Sequence, residues 1–324
     1  MKRTLILLLI MATFTGLRTF AQGSASFQFL QLPVSAHASA LGGVSVTASD
    51  DDHTLAFLNP ALLSGTTGST LGLCYMNFLQ GSNMAGASYN VPTTGRSAFA
   101  FGAQYLGFGT MRRTDAEGAD LGDFTAKDMA LTGIYSYALS DLWSGGVTAK
   151  VVYSNYDIVY SLALGIDLGL NYFNPDTDLS FSIVARNLGG QVKTYDDVHE
   201  PLPADLVAGV SKRLAHAPVR LTLTLTDLTR WQASDFYSVK PLTTRDLLFR
   251  HVAVGADIFP TETTWVAVGY NQQLHSALST NGARSLAGFT MGAGINVSKL
   301  KVGVAYGRYH IASNSLLMNI SYGL

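Results

Sequence analysis

The stretch from Ser39 to Gly65 gathers residue types that often do chemistry. It holds a glycine pair, Gly42-Gly43 after Leu41, three consecutive aspartates, Asp50-Asp51-Asp52, and an Asn59-Pro60 step. The carboxylates raise the question of calcium. Calcium loops space their carboxylates at alternate positions and add a distant Glu, and three adjacent aspartates do not match. The glycine pair is too short for a phosphate loop, and no Lys-Ser/Thr follows it. A solvated helix start fits better, with Asp capping and favouring the helix N-terminus. The seven histidines, His37, His53, His199, His216, His251, His275 and His310, are scattered. None has metal-ligand spacing or a nucleophile-and-base motif. No catalytic residue, no metal and no cofactor is expected, and the chain reads as a protein that is not an enzyme.

The elements that would position these residues are unusual in composition. The chain has 324 residues and a formal net charge of −1, with no basic stripe for nucleic acid. Charged residues are only 13%, and the mean hydropathy is +0.22. That is oily for a soluble domain. Lys2 and Arg3 followed by the apolar run Leu5 to Phe14 and by Thr19-Phe20-Ala21 predict a signal peptide over 1–21. No cysteine follows that run to anchor a lipid. The lone Cys74 leaves no intramolecular disulfide. No later segment is long and apolar enough for a membrane helix. Membrane strands need only about ten residues and are apolar on one face, which reconciles the composition.

From Ser69 onward the period is two. Leu162, Leu164, Ile166, Leu168, Leu170 and Tyr172 alternate with Ala163, Gly165, Asp167, Gly169 and Asn171. Leu221, Leu223 and Leu225 alternate with threonines. Strand side chains alternate by face, so one face is apolar and the other small or polar. Fourteen such segments occur, with short turns such as "NPDTD" and "AHAP" after every second one. The other connections include long ones at 108–124, 190–203, 230–248 and 275–285. This predicts an all-β, 14-stranded antiparallel transmembrane outer-membrane barrel over 69–324, its loops at the cell surface. The preceding 22–68 lacks period two. It predicts a short helical plug, with one helix from Pro33 stopped at Gly42-Gly43 and another between the aspartates and Pro60.

Parity turns Lys150, Asp167, Arg186 and Asp257 into the lumen. There they either line a channel that binds solute, or pair with one another and with the plug. Trp143, Tyr172, Phe173, Phe259 and Trp265 lie near short turns and predict an interfacial girdle. Met318, Ile320, Tyr322 and Leu324 form one face of a last strand, close to the terminal signal of outer-membrane barrels. Candidate partner contacts are Trp231, Phe236 and Tyr237 in one long loop and Arg112 and Arg113 in another, since aromatics and Arg concentrate in interface hot spots.

The run "LPVSAHASALGGVSVTASDDDHTLAFLNPALL" resembles the N-terminus of the PorV/PorQ family. Its carrying pattern is the glycine pair, then Asp51-Asp52, then Asn59-Pro60. The stretch Glu200–Trp231 resembles the PorQ branch in particular. These are barrels similar to the FadL long-chain fatty-acid transporter. The resemblance implies a place in the type IX secretion system of Bacteroidota, in the attachment complex with PorV, the sortase-like PorU and PorZ. It implies direct contact with PorZ, held at the cell surface, alongside outer-membrane lipid. The alternative is a FadL-like transporter or channel for hydrophobic solutes.

Overall fold

The computed structural model describes residues 26–47, 52–79, 81–92, 95–196, 199–236, 242–278, 286–310 and 313–324. The signal segment 1–21, Asp50, Asp51 and Tyr237 lie outside the described residues. The strands are β1 (Thr70–Leu79), β2 (Ser82–Pro92), β3 (Ser97–Thr114), β4 (Asp120–Ala138), β5 (Trp143–Tyr156), β6 (Val159–Asn174) and β7 (Leu179–Lys193). They continue as β8 (Asp205–Arg213), β9 (Val219–Leu225), β10 (Val252–Thr261), β11 (Thr264–Asn271), β12 (Phe289–Val297), β13 (Leu300–His310) and β14 (Ser313–Gly323). Each pairs antiparallel with the next, and β14 pairs with β1, so these fourteen strands close with no free lateral edge. Closure satisfies the backbone internally, as a lipid environment demands.

The alternation explains the two surfaces. Leu164, Ile166 and Leu168 of β6 are about half exposed, whereas Ala163 and Asp167 on the opposite parity are fully buried. The same belt continues through Val151, Leu131, Phe101, Leu73 and Ile320. An apolar belt this wide on the outside of a closed sheet is a lipid-facing surface, because water would penalise it at roughly 25 cal/mol per Å².

The wall is uneven. Strands β3 to β7 run 14 to 19 residues, whereas β8 to β12 run 7 to 10. The expected 108–124 loop is therefore corrected. Most of it is ladder, with Thr110 opposite Thr125 and Arg112 opposite Asp123, and only 115–119 forms the turn. Above the apolar belt both faces of a hairpin meet water, so the periodicity that marks a strand disappears. The 190–203 region likewise begins as strand up to Lys193.

Residues 26–47 and 52–65 pack inside the wall. A 3-10 turn over Gln28–Gln31 leads to helix α1 (Ala36–Ala40), which contacts β11, β12, β13 and β14. Ser35 caps α1, so the helix starts three residues later than Pro33. Gly43 N–H donates to Ala38 O at 3.0 Å, and Gly42 and Gly43 have φ of 89° and 80°. That left-handed exit is a glycine helix stop. Asp52 then caps a 3-10 helix over His53–Phe57, accepting from Thr54 N at 2.9 Å and from Thr54 Oγ1 at 2.7 Å. A further 3-10 helix over Pro60–Gly65 lies on the inner faces of β3 to β6 and feeds β1.

Small residues on the inner wall permit this approach. A Cβ at Gly146 would lie 2.4 Å from the Pro60 carbonyl carbon, and one at Gly269 would lie 2.4 Å from Gly42 N. Gly146→Leu should expel Pro60-Ala61 from the wall and destabilise the barrel by about 1–3 kcal/mol, the usual range for overpacking. The check is the urea midpoint of heat-modifiable gel migration. An unchanged midpoint would show that Pro60 and the wall are not in contact.

Candidate functional site

Three clusters of paired charge are buried among the described residues of the lumen, and Asp128 of β4 is buried apart from them, held by the hydroxyls of Ser154 and Tyr156. Near the short-turn end, Asp257 of β10 accepts from Arg220 Nε of β9 at 2.7 Å, and its other oxygen lies 2.7 Å from His37 Nε2 of α1. Arg220 Nη2 lies 3.2 Å from the same His37 nitrogen, so the three side chains form one buried triad. The His37 ring stacks on Trp265, with centroids 4.1 Å apart. This couples the luminal helix to the wall by charge and by ring contact together. Mid-barrel, Lys150 Nζ lies 2.7 Å from Asp167 and donates to Asn187 Oδ1 at 2.7 Å, while Asp167 accepts from Asn187 N at 2.7 Å. At the loop end, Arg186 donates to Asp205 at 2.7 Å, and Asp205 accepts from Asp227 N at 2.8 Å. Lys150, Asp167, Arg186 and Asp257 thus sit inside the barrel in contact with oppositely charged groups. Buried charges persist in that form, because an isolated one would be prohibitively costly.

The glycine and Asn-Pro residues do structural work in the same space. Leu41 is buried against Gly255. Gly42 N donates to Thr290 Oγ1 at 3.0 Å, and Gly42 O accepts from Asn271 at 2.9 Å. Asn59 is fully buried and bridges three places: Val46 O at 2.8 Å, Ser182 Oγ at 3.1 Å and Ala61 N at 3.0 Å. Pro60 fits into the wall at Gly146 and Gly169.

Between this segment and β1–β3 remains a 10 Å³ gap lined by Val34, Phe57 and Cys74 among others. That is space for about one water. A larger polar cavity of 490 Å³ opens at the short-turn end, bounded by Asp52, Arg213, Glu262, Trp265 and Lys301.

The girdle needs correction. Trp143 and Tyr172 do face outward, with rings 5.1 Å apart. Trp265 is buried on His37, Phe259 lies under the guanidiniums of Arg213 and Arg220, and Phe173 lines a cavity beside Ala61. Parity decides this: Val266 and Val268 face out, so Trp265 faces in.

The candidate contact residues divide by wall. Arg112 pairs with Asp120 at 2.8 Å on the exposed β3–β4 hairpin, and Arg113 pairs with Asp157. Trp231 packs on His251 at 4.2 Å between ring centroids and remains half exposed. Phe236 meets the same histidine edge-on and lies under Arg250. The described ends of this loop are folded onto their own rim. His37, Arg220 and Asp205 were missed as site residues. Arg220 was legible, since Leu221 and Leu223 face out. His37 had no periodicity to place it.

At the loop-end mouth, burial first and then the Asp205 carboxylate push the Asp227 carboxyl up to about 6 from 3.8, against the opposing pull of Arg230. Between those values the folded protein keeps a proton that the unfolded chain has lost. Stability of this corner therefore falls as pH rises through that window.

Solved structures share this architecture. The Pseudomonas putida toluene transporter TodX has TM-score 0.56 and 13% identity, over 88% of this chain and 95% of its own. A Pseudomonas aeruginosa FadL homologue has TM-score 0.54 and 13% identity, over 90% and 98%. The CymD monoaromatic hydrocarbon channel has TM-score 0.57 and 14% identity, over 90% and 97%. The fold is thus that of the FadL-like, 14-stranded outer-membrane barrels. No family model matches the sequence, and no curated protein matches it either. The PorV/PorQ resemblance rests on the residues quoted for it.

Two predictions follow from the charge clusters. Asp257→Asn should strand Arg220 and lower stability by about 3–5 kcal/mol, read as a urea midpoint, with no loss if the cluster is solvated. Asp227→Asn should abolish the pH dependence of amide-exchange protection in residues 226–236 between about pH 4 and about pH 6. A variant that keeps the wild-type profile would assign the titration elsewhere.

Proposed function

We propose that the protein is an integral outer-membrane barrel with a plugged lumen that acts as a surface anchor rather than an enzyme. The observation that carries this reading is the buried luminal segment, tied to the wall through His37–Asp257–Arg220 and Asn59. A barrel interior occupied in this way leaves the loop end as the place for function. The PorV/PorQ resemblance supplies the partner: PorZ held directly, with PorU and PorV in the same type IX attachment complex.

The solved structures favour a second reading. TodX is a toluene transporter and CymD a monoaromatic hydrocarbon channel, so passage of small hydrophobic solutes is the function their fold brings to mind. Fold likeness at 13–14% identity carries function weakly. Of the two readings, these comparisons back the conduit and the packed interior backs the anchor.

Affinity purification of the tagged protein from outer membranes in mild detergent separates them. The anchor predicts one dominant surface partner, released to the medium when the gene is deleted. Purification alone, with co-extracted fatty acid or hydrocarbon and uptake lost on deletion, would establish the conduit.

A further inference from the structure

The outer face of the long-strand wall is ordered row by row. In β4, Met129 and Leu131 are exposed while Ala126, Asp128 and Ala130 are buried, so Lys127 points outward by parity. In β6, Leu164 and Ile166 are exposed while Ser161 and Ala163 are buried, so Tyr160 points outward too. The ladder joins the two: Lys127 lies opposite Asn155 of β5, and Asn155 lies opposite Tyr160. The next outward row toward the membrane runs Tyr105, Met129, Tyr153, Leu162 and Lys193, each opposite the next. Lys193 reaches from that row and lays its ammonium on the Tyr160 ring, 3.2 Å from the centroid. Both charges therefore come to the same outward row.

The strands set the height of that row. Tyr137 and Trp143 are the outward aromatics at the short-turn end. At about 3.3 Å per residue and a tilt of about 40°, β4 rises about 25 Å from Tyr137 to Lys127, the height of the apolar band of an outer-membrane barrel. Tyr105, Tyr153 and Tyr160 then form the upper aromatic belt, and the two ammonium groups stand at headgroup level. Carboxylates of the neighbouring hairpins are engaged by arginines, Asp120 by Arg112 at 2.8 Å and Asp157 by Arg113. Among the described residues, neither Lys127 nor Lys193 has a carboxylate partner.

We propose that this face binds the phosphorylated headgroup of an outer-leaflet lipid, with Lys127 and Lys193 holding its phosphate oxygens and Tyr153 packing on its acyl chains. Two cations without carboxylate partners, set in the headgroup layer, attract an anion, and phosphate is the anion that membrane lipids carry there. The occupant is lipid because the lysines stand on the same strand faces as Met129, Leu131, Leu164 and Ile166. One molecule with a phosphate and acyl chains meets both the lysines and the belt. The inference rests on the outer-membrane setting with the loop end outward, and it stands under either reading of the protein's function.

Native mass spectrometry of the full mature chain in detergent tests this. Diphosphorylated lipid A is titrated against the wild type, the double variant Lys127→Gln/Lys193→Gln, and Lys299→Gln in the short turn after β12. Folding of each is checked by heat-modifiable migration. The wild type and Lys299→Gln should retain the lipid alike. The double variant should bind it roughly thirtyfold more weakly, about fivefold for each lysine near a membrane surface. Lipid A stripped of its phosphates should bind the wild type no better than the double variant. Equal retention of the diphosphorylated lipid by the double variant and the wild type would overturn the proposal. So would displacement of the lipid by inorganic phosphate at matched concentration, which would assign the lysines to a free anion.

Discussion

Close approach between the luminal segment and the inner wall is the constraint on which the rest of the structure depends. Fourteen strands enclose more space than the mostly small inward side chains fill. Glycines at 146, 169, 255 and 269 let residues 40–42 and 59–61 come within contact of the sheet. Larger inward residues would fill the lumen themselves and exclude the segment. The composition follows from this, with small residues inside, apolar residues outside and few charges.

The charges that remain inside are spent on positioning. Asp257 meets a wall arginine and a histidine of α1 at equal distance, 2.7 Å. A neutral pair would fill the same space, but the charged set is directional and fixes where α1 sits along the wall. The loop-end cluster around Asp205 does similar work for the chain leaving β9, through Asp227 N and Arg186. The unequal wall then divides the loop end. Strands β3 and β4 project as a charged hairpin, while the shorter strands β8 to β12 end near a short helix over Thr244–Arg250 and the turn that carries Trp231 and Phe236.

How much of this was legible depended on whether a residue faced two different solvents. Within the membrane band every strand did, and parity alone placed Lys150, Asp167, Arg186 and Asp257 inward. Beyond the band the hairpin from Arg112 to Asp123 meets water on both faces, so it read as loop. Trp265 and Phe259 were assigned by nearness to a turn although their own parity pointed inward. The luminal segment carried capping signals, which marked Asp52, Asn59 and the glycine pair. Its contacts with the wall span more than two hundred residues of sequence, as between His37 and Asp257, and no local pattern encodes them.

The most direct test of the central claim is the electrical behaviour of the wild-type protein in a planar lipid bilayer. A lumen filled by residues 26–47 and 52–65 should show no stable conductance after insertion. Persistent ohmic current through the intact, folded protein would mean that water runs the length of the barrel, and would contradict the account.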